Sequence, residues 1–308
     1  MNGSPDLSVH IGRLRLNNPV MPASGTFGYG EEYSQFFDLN RLGAIIVKTI
    51  TSKPRIGNYP HRSTEVPSGF LASIGLQNVG IDKFLEEKLP YFDNVEAPLI
   101  VNIGGSTVEE YTALAARLDR HKRVDAIELN VSCPNVNKGG MQFGVDQDVM
   151  RDLVTRARDA TDKVLIVKLS PMVTDIRVFG EISQESGADC VSLINGLVGM
   201  AIDIKTRRSK LGRNPTGGLV GPSIRPLALY LVHQVWKSVD IPVIGIGGIT
   251  SPEDAIEFII AGASAIEIGT YNFVNPMVTM DVIDGVERYL VENKIKALSD
   301  LIGTFHVR

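Results

Sequence analysis

Eight short apolar runs recur along this chain, at residues 19–23, 44–48, 99–103, 126–130, 164–169, 190–194, 243–247 and 265–269. Each is rich in Val, Ile or Ala and is bounded by Gly, Asn, Ser or Lys. Between most of them lie segments of amphipathic, helical periodicity, such as 108–121, 148–161, 175–186, 223–239 and 252–261. Continuous apolar runs suit strands buried on both faces, and strands alternating with helices form parallel sheets. Eight such units predict an α/β fold of the (β/α)₈ TIM-barrel class. An open, doubly wound sheet is the alternative, but no GxGxxG follows the first run. Two intervals, 49–98 after the second run and 195–240 after the sixth, exceed what one loop and one helix require. They are expected to carry insertions over the carboxyl ends of the strands, the face on which barrels keep their active sites. Residues 7–11 and 14–16, around Gly12-Arg13, predict an N-terminal hairpin.

No Ser/Pro/Gly tract or charge block marks a linker, so residues 1–308 read as a single domain. The net charge of -4 argues against a nucleic-acid groove, which needs a basic surface. The first twenty residues lack a signal-type apolar core, and no run approaches the length of a membrane span, so a soluble, cytoplasmic protein is expected. The five histidines are scattered without ligand spacing, and no metal site is expected. Two cysteines, Cys133 and Cys190, cannot ligate an iron–sulfur cluster by themselves.

The residues at the carboxyl ends of the runs carry the chemistry: Ser24, Lys48, Asn102, Asn130, Lys168, Asn195, Gly247-Gly248 and Gly269-Thr270. Any one could be a strand simply ending in solvent, whereas two lysines and three asparagines together suit a shared polar ligand. Glycine turns after the seventh and eighth strands are where such barrels bind phosphate, although tight strand-to-helix turns would look the same. Neither lysine has an obvious carboxylate on an adjacent run, so both are expected to face bound anions; a distant ion pair is the alternative. Cys190 sits in an apolar run and reads as a small core residue. Cys133 follows Asn130 in a polar loop and is a candidate base or nucleophile.

Several of these stretches resemble the signatures of class 1 dihydroorotate dehydrogenases. They are Glu128-Leu129-Asn130-Val131-Ser132-Cys133-Pro134-Asn135, Pro22-Ala23-Ser24-Gly25, Ile74-Gly75-Leu76-Gln77-Asn78, Val167-Lys168-Leu169-Ser170-Pro171, Gly217-Gly218-Leu219-Val220-Gly221-Pro222 and Gly245-Ile246-Gly247-Gly248-Ile249. The likeness is collinear from about Leu7 to the C-terminus, and residues 48–62 resemble the 1B subclass in particular.

The resemblance implies an FMN-dependent oxidoreductase of pyrimidine biosynthesis that converts dihydroorotate to orotate. It implies a homodimer, and a heterotetramer with a second subunit that carries FAD and a [2Fe–2S] cluster and passes electrons to NAD. FMN phosphate would meet Gly221, Gly247, Gly248, Gly269 and Thr270. The ring and ribityl chain would meet Ala23, Ser24, Lys48, Thr49, Asn102, Asn130, Lys168 and Ile194. Substrate would meet Lys48, Ser73, Ile74, Gly75, Leu76, Asn130, Asn135, Asn195 and Gly196. Cys133 would be the catalytic base, with Lys48 and Asn130 beside it. Two positions depart from the pattern: Ala72 stands where the family has Asn, and Gly196 where it has Thr or Ser. Both departures fall on the substrate side and are expected to leave extra room there. A paralogous flavin enzyme acting on another cyclic, carboxylate-bearing compound is therefore a second reading. A barrel that binds a phosphorylated ligand without redox chemistry is a third.

Overall fold

A computed structural model of the protein describes residues 4–131 and 143–307. Its centre is eight parallel strands: β1 Val20–Pro22, β2 Ile45–Ile50, β3 Leu99–Ile103, β4 Ala126–Asn130, β5 Val164–Lys168, β6 Cys190–Leu193, β7 Val243–Ile246 and β8 Ala265–Ile268. Their hydrogen-bonded order is β1-β8-β7-β6-β5-β4-β3-β2. The backbone N–H of Gly43, just ahead of β2, donates to the carbonyl of Val20 in β1 at 2.9 Å and closes the sheet into a barrel. A glycine is needed at that seam, because a Cβ on residue 43 would lie 2.1 Å from the carbonyl oxygen of Asn18.

All residues of β3, β4 and β5 are buried. This is why the runs read as continuously apolar: inward side chains fill the barrel and outward ones pack under the helices. Those helices are α1 Val108–Asp119, α2 Gln147–Asp159, α3 Ile176–Glu185, α4 Arg225–Trp236, α5 Pro252–Ala261 and α6 Val278–Glu292. The side chains of Thr107, Asp146, Asp175 and Ser251 accept backbone N–H bonds in the first turns of α1, α2, α3 and α5 and fix where they start. The helical segment expected over 223–239 is shorter, because Pro222–Ile224 forms a separate 3₁₀ turn ahead of α4. Between β1 and β2 the chain uses two 3₁₀ turns, Tyr33–Gln35 and Leu39–Arg41. Among the described residues, no helix is long and apolar enough to cross a membrane.

The two long intervals meet. Ser63–Val66 and Gly69–Ala72 come from the first, and Leu197–Gly199 and Gly217–Val220 from the second. They pair as one four-stranded antiparallel sheet in which Ala72 opposes Gly218 and Leu71 opposes Leu219. The sheet borders the carboxyl end of the barrel. At the opposite end, the hairpin of Val9–Ile11 and Leu14–Leu16 turns at Gly12 (φ +57°), which packs against Asp189 at the start of β6.

Candidate active site

Parallel register places the polar strand ends at matched levels. Asn130 of β4 and Ser192 of β6 both stand opposite Lys168 of β5, while Asn102 of β3 stands opposite Glu128 of β4. Above them two contiguous clefts open on the carboxyl face. The first is lined by Ala23, Ser24, Lys168, Ile194, Val220, Gly221, Gly247, Gly248, Gly269 and Thr270. The second is lined by Ser24, Lys48, Thr49, Ala72, Ile74, Gly75, Leu76, Asn130, Asn195, Gly196 and Gly218. Lys168, Ser24, Asn195 and Gly196 belong to both. The residues expected at the phosphate line the first cleft, whereas Lys48, Thr49 and Asn130, expected at the flavin, line only the second, and Asn195 and Gly196, expected at the substrate, line both.

Lys168 does not stand alone: the alternative of an ion pair holds, and the expectation that no adjacent run offers a carboxylate is corrected, since Glu128 lies on neighbouring β4. Its Nζ is 2.8 Å from Glu267 Oε2 on β8 and 3.7 Å from Glu128 Oε1 on β4. Both glutamates are fully buried. Glu128 also accepts from Ser192 Oγ at 2.7 Å and from the Asn102 side-chain amide. Burial lowers the proton affinity of Lys168, but the neighbouring carboxyl groups of Glu128 and Glu267 outweigh it and raise the lysine above its ordinary value. Lys168 is therefore a fixed cation at the cleft floor. The signal was in the sequence: a carboxylate inside AIELN or AIEI is a buried charge, and buried charges have partners. Glu128 stands on the neighbouring run, whereas Glu267 on β8 reaches Lys168 only across the interior of the closed barrel, which local spacing does not show.

The first cleft is bounded by glycines. Gly221, Gly247 and Gly248 have φ of +98°, +134° and +72°. A Cβ on Gly248 would lie 2.8 Å from both the Gly221 carbonyl oxygen and Arg225 Cβ, so the two turns approach this closely because residue 248 has no side chain. Such bare turns let backbone approach a phosphate. Asn102 is fully buried below the clefts and does not line either of them. Its Oδ1 has no hydrogen-bond partner among the described residues. Bare glycine turns beside a fixed cation suit a phosphate-bearing cofactor such as a flavin.

In the second cleft, Lys48 Nζ lies 3.6 Å from where a Cβ of Gly25 would stand, and Ser24 Oγ and Thr49 Oγ1 are 3.3 Å apart. The turn at Gly75 and Leu76, with φ of +77° and +53°, is held from behind. Asn78 Nδ2 donates to the Leu76 carbonyl and to Thr51 Oγ1, both at 2.8 Å. Asn58 Nδ2 donates to Ser73 Oγ and to its carbonyl, both at 3.0 Å. Ser73 is buried and turned to Asn58, so it supports the wall and does not line it. Asn58 was not singled out from sequence, and Asn78 entered only as the last residue of the Ile74–Asn78 signature, with no role; the contacts give both their bracing function.

The room expected at Gly196 is largely filled. A Cβ there would lie 3.0 Å from Val220 Cγ1 and 3.2 Å from Gly218 Cα. Cys190 is buried, as expected of a core residue, and burial pushes its thiol well up. Cys133 and Asn135 lie outside the described residues.

The sequence matches the dihydroorotate dehydrogenase family over residues 6–290. Similar curated proteins include the dihydroorotate dehydrogenase B (NAD(+)) catalytic subunit of Trichlorobacter lovleyi, 52% identical over 97% of this chain and 98% of that one. The same-named protein of Desulforamulus reducens is 52% identical over 98% of this chain and 99% of its own. Among solved structures, DHODH of Eimeria tenella in complex with ferulenol superposes with a TM-score of 0.80 at 26% identity, covering 97% of this chain and 88% of that one.

Proposed function

Because the chain belongs to the dihydroorotate dehydrogenase family, we propose that it oxidises dihydroorotate to orotate with FMN bound across the carboxyl face of its barrel. The observation that carries this reading is the sharing of one buried cation, Lys168, by a glycine-rimmed cleft and a polar, lysine-bearing cleft. When bound, FMN supplies the acceptor for the hydride leaving substrate C6. Gly221, Gly247, Gly248, Gly269 and Thr270 hold its phosphate, and Ala23, Ser24, Thr49, Asn102 and Ile194 position the rest. Lys168 places a preorganised positive charge where negative charge grows on reduction. Lys48 pairs with the substrate carboxylate, and the turn at Ile74–Leu76 closes around it. Asn130, Asn135 and Asn195 hydrogen-bond the pyrimidine. Cys133 takes the C5 proton as general base.

The relatives are named as catalytic subunits of NAD(+)-dependent enzymes. By the same kinship this chain forms a homodimer and hands electrons to a second subunit bearing FAD and a [2Fe–2S] cluster, which reduces NAD. The deciding experiment is turnover of dihydroorotate by the FMN-loaded protein with an artificial acceptor. Full flavin occupancy without turnover would reject dihydroorotate as substrate, and a colourless protein unable to take up FMN would reject the flavin reading.

One observation favours a second reading. The wall made by Ala72, Gly196 and Gly218 offers no side-chain hydrogen-bonding group. A site that pairs a ring's polar atoms discriminates strongly, and one that does not admits analogues. A different cyclic, carboxylate-bearing substrate would then be turned over faster than dihydroorotate in a substrate panel.

A further inference from the structure

At the floor of the barrel two buried carboxyls flank one ammonium, and they are not equivalent. Glu128 accepts Ser192 Oγ on Oε1 and the Asn102 amide on Oε2, with Lys168 Nζ 3.7 Å away. Glu267 accepts from Lys168 at Oε2, while its Oε1 has no hydrogen-bond partner among the described residues. Two ionised carboxylates beside a single cation would leave a net negative charge fully out of water. Proteins remove such a charge by retaining a proton. Donors converge on Glu128, so the negative charge is stabilised there, and the uncommitted oxygen of Glu267 is where a proton can sit. The titratable groups acting on Glu267 are Glu128 on β4, Lys168 on β5 and the Cys190 thiol on β6. Burial first, and the Glu128 charge second, push the Glu267 carboxyl well above its ordinary range against the pull of Lys168.

We propose that Glu267 is a protonated positioning residue, a neutral acid that holds Lys168 by a hydrogen bond while Glu128 alone balances the ammonium charge. The floor is then electrically neutral, and reduction of a flavin above it meets a cation without an excess anion behind it. The functional half of this proposal rests on the reading that FMN occupies the cleft; the location of the proton does not.

Three measurements on the full-length protein, as isolated with its flavin, test it. Infrared spectra in heavy water should show a carboxylic-acid C=O band that persists from slightly acid to slightly alkaline buffer and is missing in Glu267→Gln. Neutron diffraction of the wild-type protein should place a deuteron on Glu267 and none on Glu128. The midpoint potential of the flavin, and its slope against pH, should be unchanged in Glu267→Gln, which replaces one neutral hydrogen-bonding group with another. In Glu267→Leu, which cannot accept from Lys168, both should move. Absence of the acid band, or a deuteron on Glu128, would overturn the proposal. So would a potential that rises in Glu267→Gln, as removal of a negative charge demands. If the protein takes up no FMN the proposed function fails, yet the infrared and neutron results still decide where the proton is.

Discussion

The side-chain amide of Asn195 donates to Oδ1 of Asn130 across 3.2 Å, tying the second residue beyond β6 to the end of β4 over the top of β5. Asn195 Oδ1 in turn accepts from the Gly196 N–H at 2.8 Å. Two of the residues proposed to read the pyrimidine therefore orient each other. Asn195→Ala should remove a ligand contact and also loosen Asn130, at a cost near that of one or two buried hydrogen bonds. The expected result is a fall in kcat/KM for dihydroorotate of about tenfold to a hundredfold, with flavin content unchanged. Steady-state assays with an artificial acceptor measure it, and a loss of flavin instead would assign Asn195 to the cofactor.

Gly248 gives a test of the phosphate cup. Its φ of +72° and the 2.8 Å approach of a Cβ to the Gly221 carbonyl mean that Gly248→Ala strains one turn and pushes on the other. Such strain costs about 1–3 kcal/mol, enough to weaken FMN binding by about tenfold or more. Fluorescence titration of the apoprotein with FMN should show this loss. Unaltered affinity would place the phosphate elsewhere.

At Gly196, where a side chain would begin 3.0 Å from Val220 Cγ1, the variant Gly196→Thr should be overpacked. The expected loss is about 1–3 kcal/mol of stability without a gain in dihydroorotate turnover. Adding Val220→Ala should recover most of the stability. Urea unfolding of the single and double variants decides this, and a Gly196→Thr protein as stable as the parent would show that the wall yields.

Glu267 makes a pH prediction of definite sign. Its carboxyl is raised well above its ordinary value, by burial and then by Glu128. As pH climbs past the ordinary glutamate range the unfolded chain releases this proton and the native protein keeps it, so native stability falls until the folded value is reached. Lys168, raised above the ordinary lysine value, contributes in full through neutral pH and loses its contribution as pH climbs from the ordinary lysine value to its folded value. Glu267→Gln lacks the glutamate's liability. The stability difference between variant and wild type should widen by up to about 1.4 kcal/mol per pH unit over that interval. Parallel stability–pH curves would contradict it.

Much of the architecture was legible because each strand carries its own evidence. Runs such as 99–103 and 126–130 coincide with β3 and β4, and both long intervals do hold extra strands. The clefts were legible too, since Lys48, Asn130, Asn195 and the glycine turns stand at strand ends that any barrel brings together. What could not be read is which elements meet across the closed ring. Glu128 and Glu267 lie on strands far apart in sequence and converge on Lys168 through the interior, and local periodicity does not encode that distance. The roles of Asn58 and Asn78 escaped for a related reason, as both brace backbone that comes from another part of the loop.

The sheet that walls the second cleft pairs Ala72 with Gly218, contributed by widely separated parts of the chain. Contacts of such long sequence separation form slowly, because the intervening chain must be ordered before they repay its closure. On the ribosome, Gly69–Ala72 emerges well before Gly217–Val220, so this wall cannot form until synthesis has passed Val220. Closure of the cleft is thus acquired late, and its rim waits on a segment made long after the first half of the barrel.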